Sequence, residues 1–138
     1  MSGFSNSSAN AIINYHLRGQ VAPVVRNLYF ALFTADPTDA FTAGTEVSAA
    51  WYVRKATGAW AAPTNGVTFN TTRVEFPPVA TAPCTVTHVG IVEGASAGDG
   101  TATLLYSHAL SEAKVLGIND VYMVDSQTSS GDYTLSLI

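Results

Sequence analysis

Charge is scarce in this sequence. Charged residues make up 12 % of its 138 positions, against about a quarter in an ordinary globular domain. Six Lys and Arg face ten Asp and Glu, for a net charge of −4. A nucleic-acid surface needs basic residues gathered on one face, and these six are scattered, so no nucleic-acid partner is expected. A single cysteine, Cys84, excludes an internal disulfide and leaves the fold to packing. No run is apolar and long enough to span a bilayer, and the first residues lack the basic and apolar regions of a signal peptide. No membrane partner is expected, and assembly is expected in the cytoplasm. Internal repeats and low-complexity tracts are missing too.

Apolar and hydroxyl-bearing residues fill the chain instead. Hydrophobic residues reach 47 %, so Ser, Thr, Asn and Gly must solvate the surface. Such a composition suits a rigid β-module that hides part of itself against a partner. The length fits one domain with a sizeable core.

The stretch 27–56 organises the rest. Its residues 28–33, Leu-Tyr-Phe-Ala-Leu-Phe, are an unbroken apolar run. With both faces apolar, they predict a central strand covered on both sides. Asp36-Pro37 ends the run, because proline cannot continue a ladder and the residue before it avoids helix. Asp36, Thr38, Asp39 and Thr42 can bond to nearby backbone, so Asp36, Pro37, Thr38 and Asp39 predict a structured loop. A second strand is expected over 46–55, then a loop over 57–65 with Trp60 as a lid on the core. Further strands are expected near 67–69, 74–76, 85–92, 101–106, 121–124 and 133–138. Gly90 marks a bulge or a close approach. Segment 21–25 reads as an extended lead-in, 94–100 and 127–131 as a tip and a turn, and 108–116 as a helical turn or a loop. About eight short strands separated by turn signals predict an all-β, antiparallel β-sandwich.

A helical pattern precedes the sandwich. Ser5, Asn6, Ser7 and Ser8 can each cap a helix, Ala9, Ile12, Ile13, His16 and Leu17 recur at helical spacing, and Gly19 can end it. Residues 1–20 thus predict a short amphipathic helix or arm, ahead of a single sandwich domain over 21–138. A helix this short needs its stripe buried. Either it plugs one end of its own domain, or Ile12, Ile13, His16 and Leu17 dock on a neighbouring subunit.

Catalytic constellations do not assemble. His16, His88 and His108 are far apart and lack metal-ligand spacing; His88 reads as a half-buried strand residue with ring nitrogens bonded to backbone. The glycine-rich 94–100 lacks the Lys-Ser/Thr pair of a phosphate loop. Asp36 with Asp39, and Asp120 with Asp125, fall outside calcium-loop spacing and read as loop caps. No nucleophile elbow is present and no carboxylate pair stands out. Cys84, at the start of an apolar strand, reads as an inert buried thiol. No enzyme activity, metal or cofactor is expected. Trp51, Tyr52, Trp60, Tyr106 and Tyr122 suit core or interface; the alternative is sugar stacking, with Trp51 and Trp60 as surface aromatics.

The order Leu28-Tyr29-x-Ala31-Leu32-Phe33-Thr34-Ala35-x-Pro37-Thr38-Asp39-Ala40, then Gly44-Thr45-Glu46-Val47-Ser48 and Tyr52-x-Arg54, resembles a family of small tailed-phage virion proteins. These are commonly labelled tail fibre or minor structural proteins. The likeness continues through Phe76-Pro77, Thr85-Val86-Thr87-His88-Val89-Gly90-Ile91 and Leu104-Leu105-Tyr106 to Ala109-Leu110, over about residues 9 to 125. Ala49-Ala50-Trp51 stands where the family has glycines, and Val92-Glu93 where an aromatic-Asp pair is usual. The resemblance implies a virion component without catalytic residues. A fibre shaft needs heptads, triplets or β-helical repeats, and none is present, so a knob a few nanometres across is expected. The reading favoured at this point is a capsid-decorating, or cement, protein that binds the outer head surface. Its implied partners are the major capsid protein or another virion protein, and further copies of itself as a homotrimer. A tail-fibre or tail-tip component and a host-glycan-binding module are the alternatives.

Overall fold

The computed structural model describes residues 3–23, 27–94, 96, 102–126 and 134–136. In chain order they form β1 (Gly3–Phe4), α1 (Asn6–Arg18), β2 (Leu28–Phe33), β3 (Lys55–Ala56), β4 (Val67–Phe69), β5 (Val74–Glu75), β6 (Cys84–Glu93), β7 (Thr103–Leu116), β8 (Met123–Val124) and β9 (Thr134–Ser136). The main sheet has the order β1-β7-β6-β2-β3, and two-stranded pairs β4-β9 and β5-β8 flank it. Every pairing is antiparallel. The fold is all-β and sandwich-like, with one short helix. The turn expected at 127–131 lies outside the described residues, as do parts of the lead-in at 21–25 and of the tip at 94–100.

The apolar run of β2 forms an inner strand of this sheet, between β6 and β3. Side chains alternate across a strand, so Phe30 and Leu32 enter one cluster while Ala31 and Phe33 enter another. The larger cluster lies between the sheet residues Val86, Val89 and Ile91 and a cover of Val47, Trp51, Tyr52, Val74, Phe76, Val79 and Val124. The Phe76 ring stacks on Tyr52 at 6.1 Å and meets Tyr122 edge-on at 6.0 Å. The smaller cluster adds Val92 and Leu104, with Phe41 packed over it. Gly90 is a close-approach point: a Cβ there would lie 2.9 Å from the Phe33 ring and 3.0 Å from the Tyr106 carbonyl oxygen.

Two strand expectations need correction. The stretch 46–55 is not a continuous strand. Glu46 makes an isolated bridge with Phe33, β3 begins only at Lys55, and the chain between makes a turn closed by a Tyr52 N–H bond to the Ala49 carbonyl. The edge of β2 is satisfied in two pieces, by 45–47 and by 55–57. Segment 108–116 is neither helical turn nor loop but the far half of β7, paired with β6 from Cys84↔Leu116 onward. Between Val86↔Lys114 and His88↔Ala109, the single residue Thr87 faces residues 110–113, so β7 bulges there. Nor are all strands short: β6 has 10 residues and β7 has 14.

Candidate docking surface

The most specific residues of the sequence pattern meet in one buried network. The Arg54 guanidinium grips Glu46 through both carboxylate oxygens, Nε to Oε1 and Nη2 to Oε2, each at 2.7 Å. Its Nη1 donates to the Gly94 carbonyl at 2.9 Å. The Arg54 side chain is wholly buried and that of Glu46 is 11 % exposed. The Tyr52 hydroxyl donates to Glu46 Oε1 at 2.7 Å and accepts the Leu32 N–H at 3.1 Å. Burial, and then the Glu46 charge, push the Tyr52 phenol far above its usual range, so it stays a neutral donor. Glu46, Tyr52 and Arg54 are thereby structural: they tie the 34–55 excursion to β2 and to the end of β6.

The Asp36 loop is rigid for local reasons. Asp36 Oδ1 accepts the Thr38 N–H at 2.8 Å, and the Thr38 and Thr42 hydroxyls bond at 2.8 Å. The Thr42 N–H reaches the Pro37 carbonyl at 2.6 Å, and Pro37 is buried. Thr38 takes a left-handed φ of 55°, which a non-glycine residue adopts only when its surroundings hold it there. Asp39 serves through its backbone: its carbonyl accepts the Asn6 N–H at 2.9 Å, at the start of α1.

That contact is one of several fixing the N-terminal end of the helix. Ser5 is the N-cap and accepts the Ser8 N–H at 3.1 Å. The Ser5 hydroxyl also donates to the Leu104 carbonyl, and its N–H donates to Leu105 at 2.9 Å. Phe4 packs on Tyr106 with ring centroids 4.5 Å apart. The other end stands free of such ties: Gly19, left-handed at φ 64°, closes the helix on the Asn14 carbonyl. Only Ser8 of the helix is buried. Ile12 is half-buried, His16 exposed, Ile13 50 % exposed and Leu17 80 % exposed. Of the apolar stripe, Ala9 and Ile12 are thus half-buried against the sheet, while Ile13 and Leu17 are open to solvent.

The aromatic candidates do not form a platform. Trp51, read as core or interface with a surface aromatic as the alternative, is 8 % exposed and belongs to the core, edge-on to Tyr52 at 6.1 Å. Its indole N–H finds no acceptor among the described residues. Trp60 is half-buried over Phe30 at 6.0 Å, and its Nε1 donates to Thr57 Oγ1 at 3.1 Å. His88 bonds through Nδ1 to the Thr87 hydroxyl at 2.8 Å, a side chain instead of the expected backbone, and its Nε2 lies 4.0 Å from Asp36. Cys84 is half-buried, with its thiol pushed up by burial.

A surface that the sequence pattern did not single out lies at the far end of β7. Val89, Leu110, Val115 and Met123, with His108 and Lys114, are among the residues lining a groove of mixed character of about 450 Å³. Its signal was hidden because 108–116 carries no strand alternation.

A family model described as podophage GP4 fiber I protein gp80 matches residues 3–131. The chain belongs to this family. No curated protein matches it. As a member of a podophage fibre family, the chain is a virion component of structural type. For a fibre-family protein the network at Glu46, Tyr52 and Arg54 reads as scaffold.

Proposed function

We propose that this chain is a non-enzymatic knob of the podophage fibre assembly, attached to its neighbour through the apolar stripe of α1. The observation that carries this reading is the split character of the helix. Its first turn is held by Ser5, Asp39 and Leu105, while Ile13 and Leu17 lie open to solvent at 50 % and 80 %. Holding an apolar face in the open costs stability unless a partner covers it. The word fibre in the family's description moves the reading from the head towards the fibre. Capsid decoration stays as a second reading, because a compact sandwich without shaft repeats also fits a cement protein on the head. Sugar stacking loses its support with Trp51 in the core.

The test is incorporation into particles assembled without the wild-type protein. The double variant Ile13→Asp with Leu17→Asp is expected to keep its circular dichroism and to be lost from purified virions. Incorporation at the wild-type level would overturn the docking role. Counting copies per virion by quantitative mass spectrometry separates the two locations: a handful supports the fibre, and hundreds support decoration of the head.

A further inference from the structure

Asn65 and Gly66 form the exposed tip of a hairpin that runs from Trp60 to Asn70. Thr64 and Val67 exchange both backbone bonds across the tip, at 2.9 and 3.0 Å. Asn65 has a φ of 53° and Gly66 of 77°, the paired left-handed positions of a type I′ turn, in which Asn-Gly is favoured. Further down the arms, the Ala61 N–H bonds to the Phe69 carbonyl at 3.0 Å and Trp60 bridges Asn70. The tip thus sets the register of arms that carry two core contacts. One is Trp60 over Phe30; the other is the Asn70 amide, which donates to the Asp125 carbonyl at 2.6 Å.

Among the described residues, no hydrogen bond engages the Asn65 side chain or the Gly66 N–H. The side-chain carbonyl carbon of Asn65 and the Gly66 nitrogen can therefore close a five-membered ring, and glycine has no side chain to shield that nitrogen. The other asparagines lack this combination. Asn6, Asn10 and Asn14 lie in α1, and Asn70 is fully buried. Asn27 and Asn119 precede Leu28 and Asp120, whose side chains crowd the nitrogen that would attack.

We propose that Asn65 is a site of spontaneous modification, passing through a cyclic imide to isoaspartate and aspartate. The Gly66 nitrogen loses its proton to solvent and attacks the Asn65 Cγ. The new N–Cγ bond replaces the Cγ–Nδ2 bond, and the amide nitrogen takes up a proton and leaves as ammonia. Water then opens the imide. Opening at Cγ gives aspartate; opening at the backbone carbonyl gives isoaspartate, whose main chain runs through Cβ and Cγ. The products differ in consequence. Asp-Gly suits the same turn, whereas isoaspartate lengthens the backbone of the tip and breaks the Thr64–Val67 pairing. A virion component is not renewed after assembly, so the change accumulates with the age of the particle.

The test follows the purified full chain in mildly alkaline buffer by peptide mass spectrometry. Electron-transfer fragmentation tells isoaspartate from aspartate. Exchange of amide for acid is expected at Asn65 ahead of every other asparagine, faster as the pH is raised, with isoaspartate as the larger product. The aged fraction is expected to unfold at lower urea than fresh protein, while the variant Asn65→Asp unfolds with the wild type. A folded chain whose Asn65 stays unchanged would overturn the proposal, and so would conversion that occurs only in urea-unfolded chain. An aged, isoaspartate-rich fraction as stable as Asn65→Asp would overturn the claim that the turn breaks.

Discussion

Arg54 is wholly buried in a chain that carries only six basic residues. A lone buried guanidinium would cost several kcal/mol, and the two oxygens of Glu46 with the Gly94 carbonyl offset that cost. Arg54→Met strips the Glu46 carboxylate of its bidentate cationic partner, so urea unfolding is expected to show a loss of about 3–5 kcal/mol. Adding Glu46→Gln to Arg54→Met is expected to recover part of it, because the stranded charge disappears while Oε1 still accepts from Tyr52. A double variant no more stable than the single one would show that the network is not held by charge. His108 gives a second residue-scale expectation. Burial, then the nearby His88, hold its imidazole below the ordinary 6.5. The unfolded chain therefore takes up the His108 proton first as the pH falls. Stability contributed by the neutral ring is present above 6.5, declines as the pH drops through it, and levels off below the folded value. His108→Asn is expected to flatten that part of the acid slope in urea midpoints taken from neutral pH downward. An unchanged slope would assign the loss to other groups.

At the scale of elements, what could be read in the sequence was what local chemistry decides. A cap among Ser5, Asn6, Ser7 and Ser8, which the structure puts at Ser5, and Gly19 as the closing residue bound α1 because their preferences act within a turn. β2 declares itself because both of its faces are covered, leaving no polar positions to blur the run. The loop at Asp36 is legible because the bonds that shape it, from Thr38 to Asp36, between Thr38 and Thr42, and from Thr42 to Pro37, all close within a few residues. What stayed hidden was decided across the chain. The Ser111-Glu112-Ala113-Lys114 stretch has helix-compatible residues and no alternation, yet β6 recruits it as strand through the Cys84↔Leu116 and Val86↔Lys114 register. The opposite error came at 46–55. There the strand-favouring Val47, Trp51, Tyr52 and Val53 suggest a strand, but Tyr52 and Arg54 turn inward to Glu46 and pull the backbone out of the ladder. Of the candidate site, the helix stripe was visible as a pattern and its exposure was not: periodicity gives a face, and only the sheet edge decides what stands opposite. The groove depends on β7 and β8 meeting, and no local signal announces it.

At the scale of the whole molecule, the scarcity of charge that opens the sequence bears on how the chain assembles. With 12 % charged residues and a net charge of −4, long-range fields are weak and the contact surfaces are apolar. On the proposed docking through α1, burial of Ile13 and Leu17 holds the complex together, and the few charges near them act mainly on approach. Electrostatic pairs at a rim govern the rate of encounter, whereas buried apolar contacts govern the rate of separation. Added salt shortens the reach of the first to about 8 Å at physiological strength and less beyond it, and leaves the second nearly untouched. The association of purified protein with particles lacking it is therefore expected to slow as salt is raised, with dissociation unchanged. The Arg18→Gln variant is expected to associate slowly at low salt already and to lose most of that salt dependence. Dissociation that quickens steeply with salt would mean that ion pairs carry the contact, and the apolar stripe of α1 would then be an onlooker.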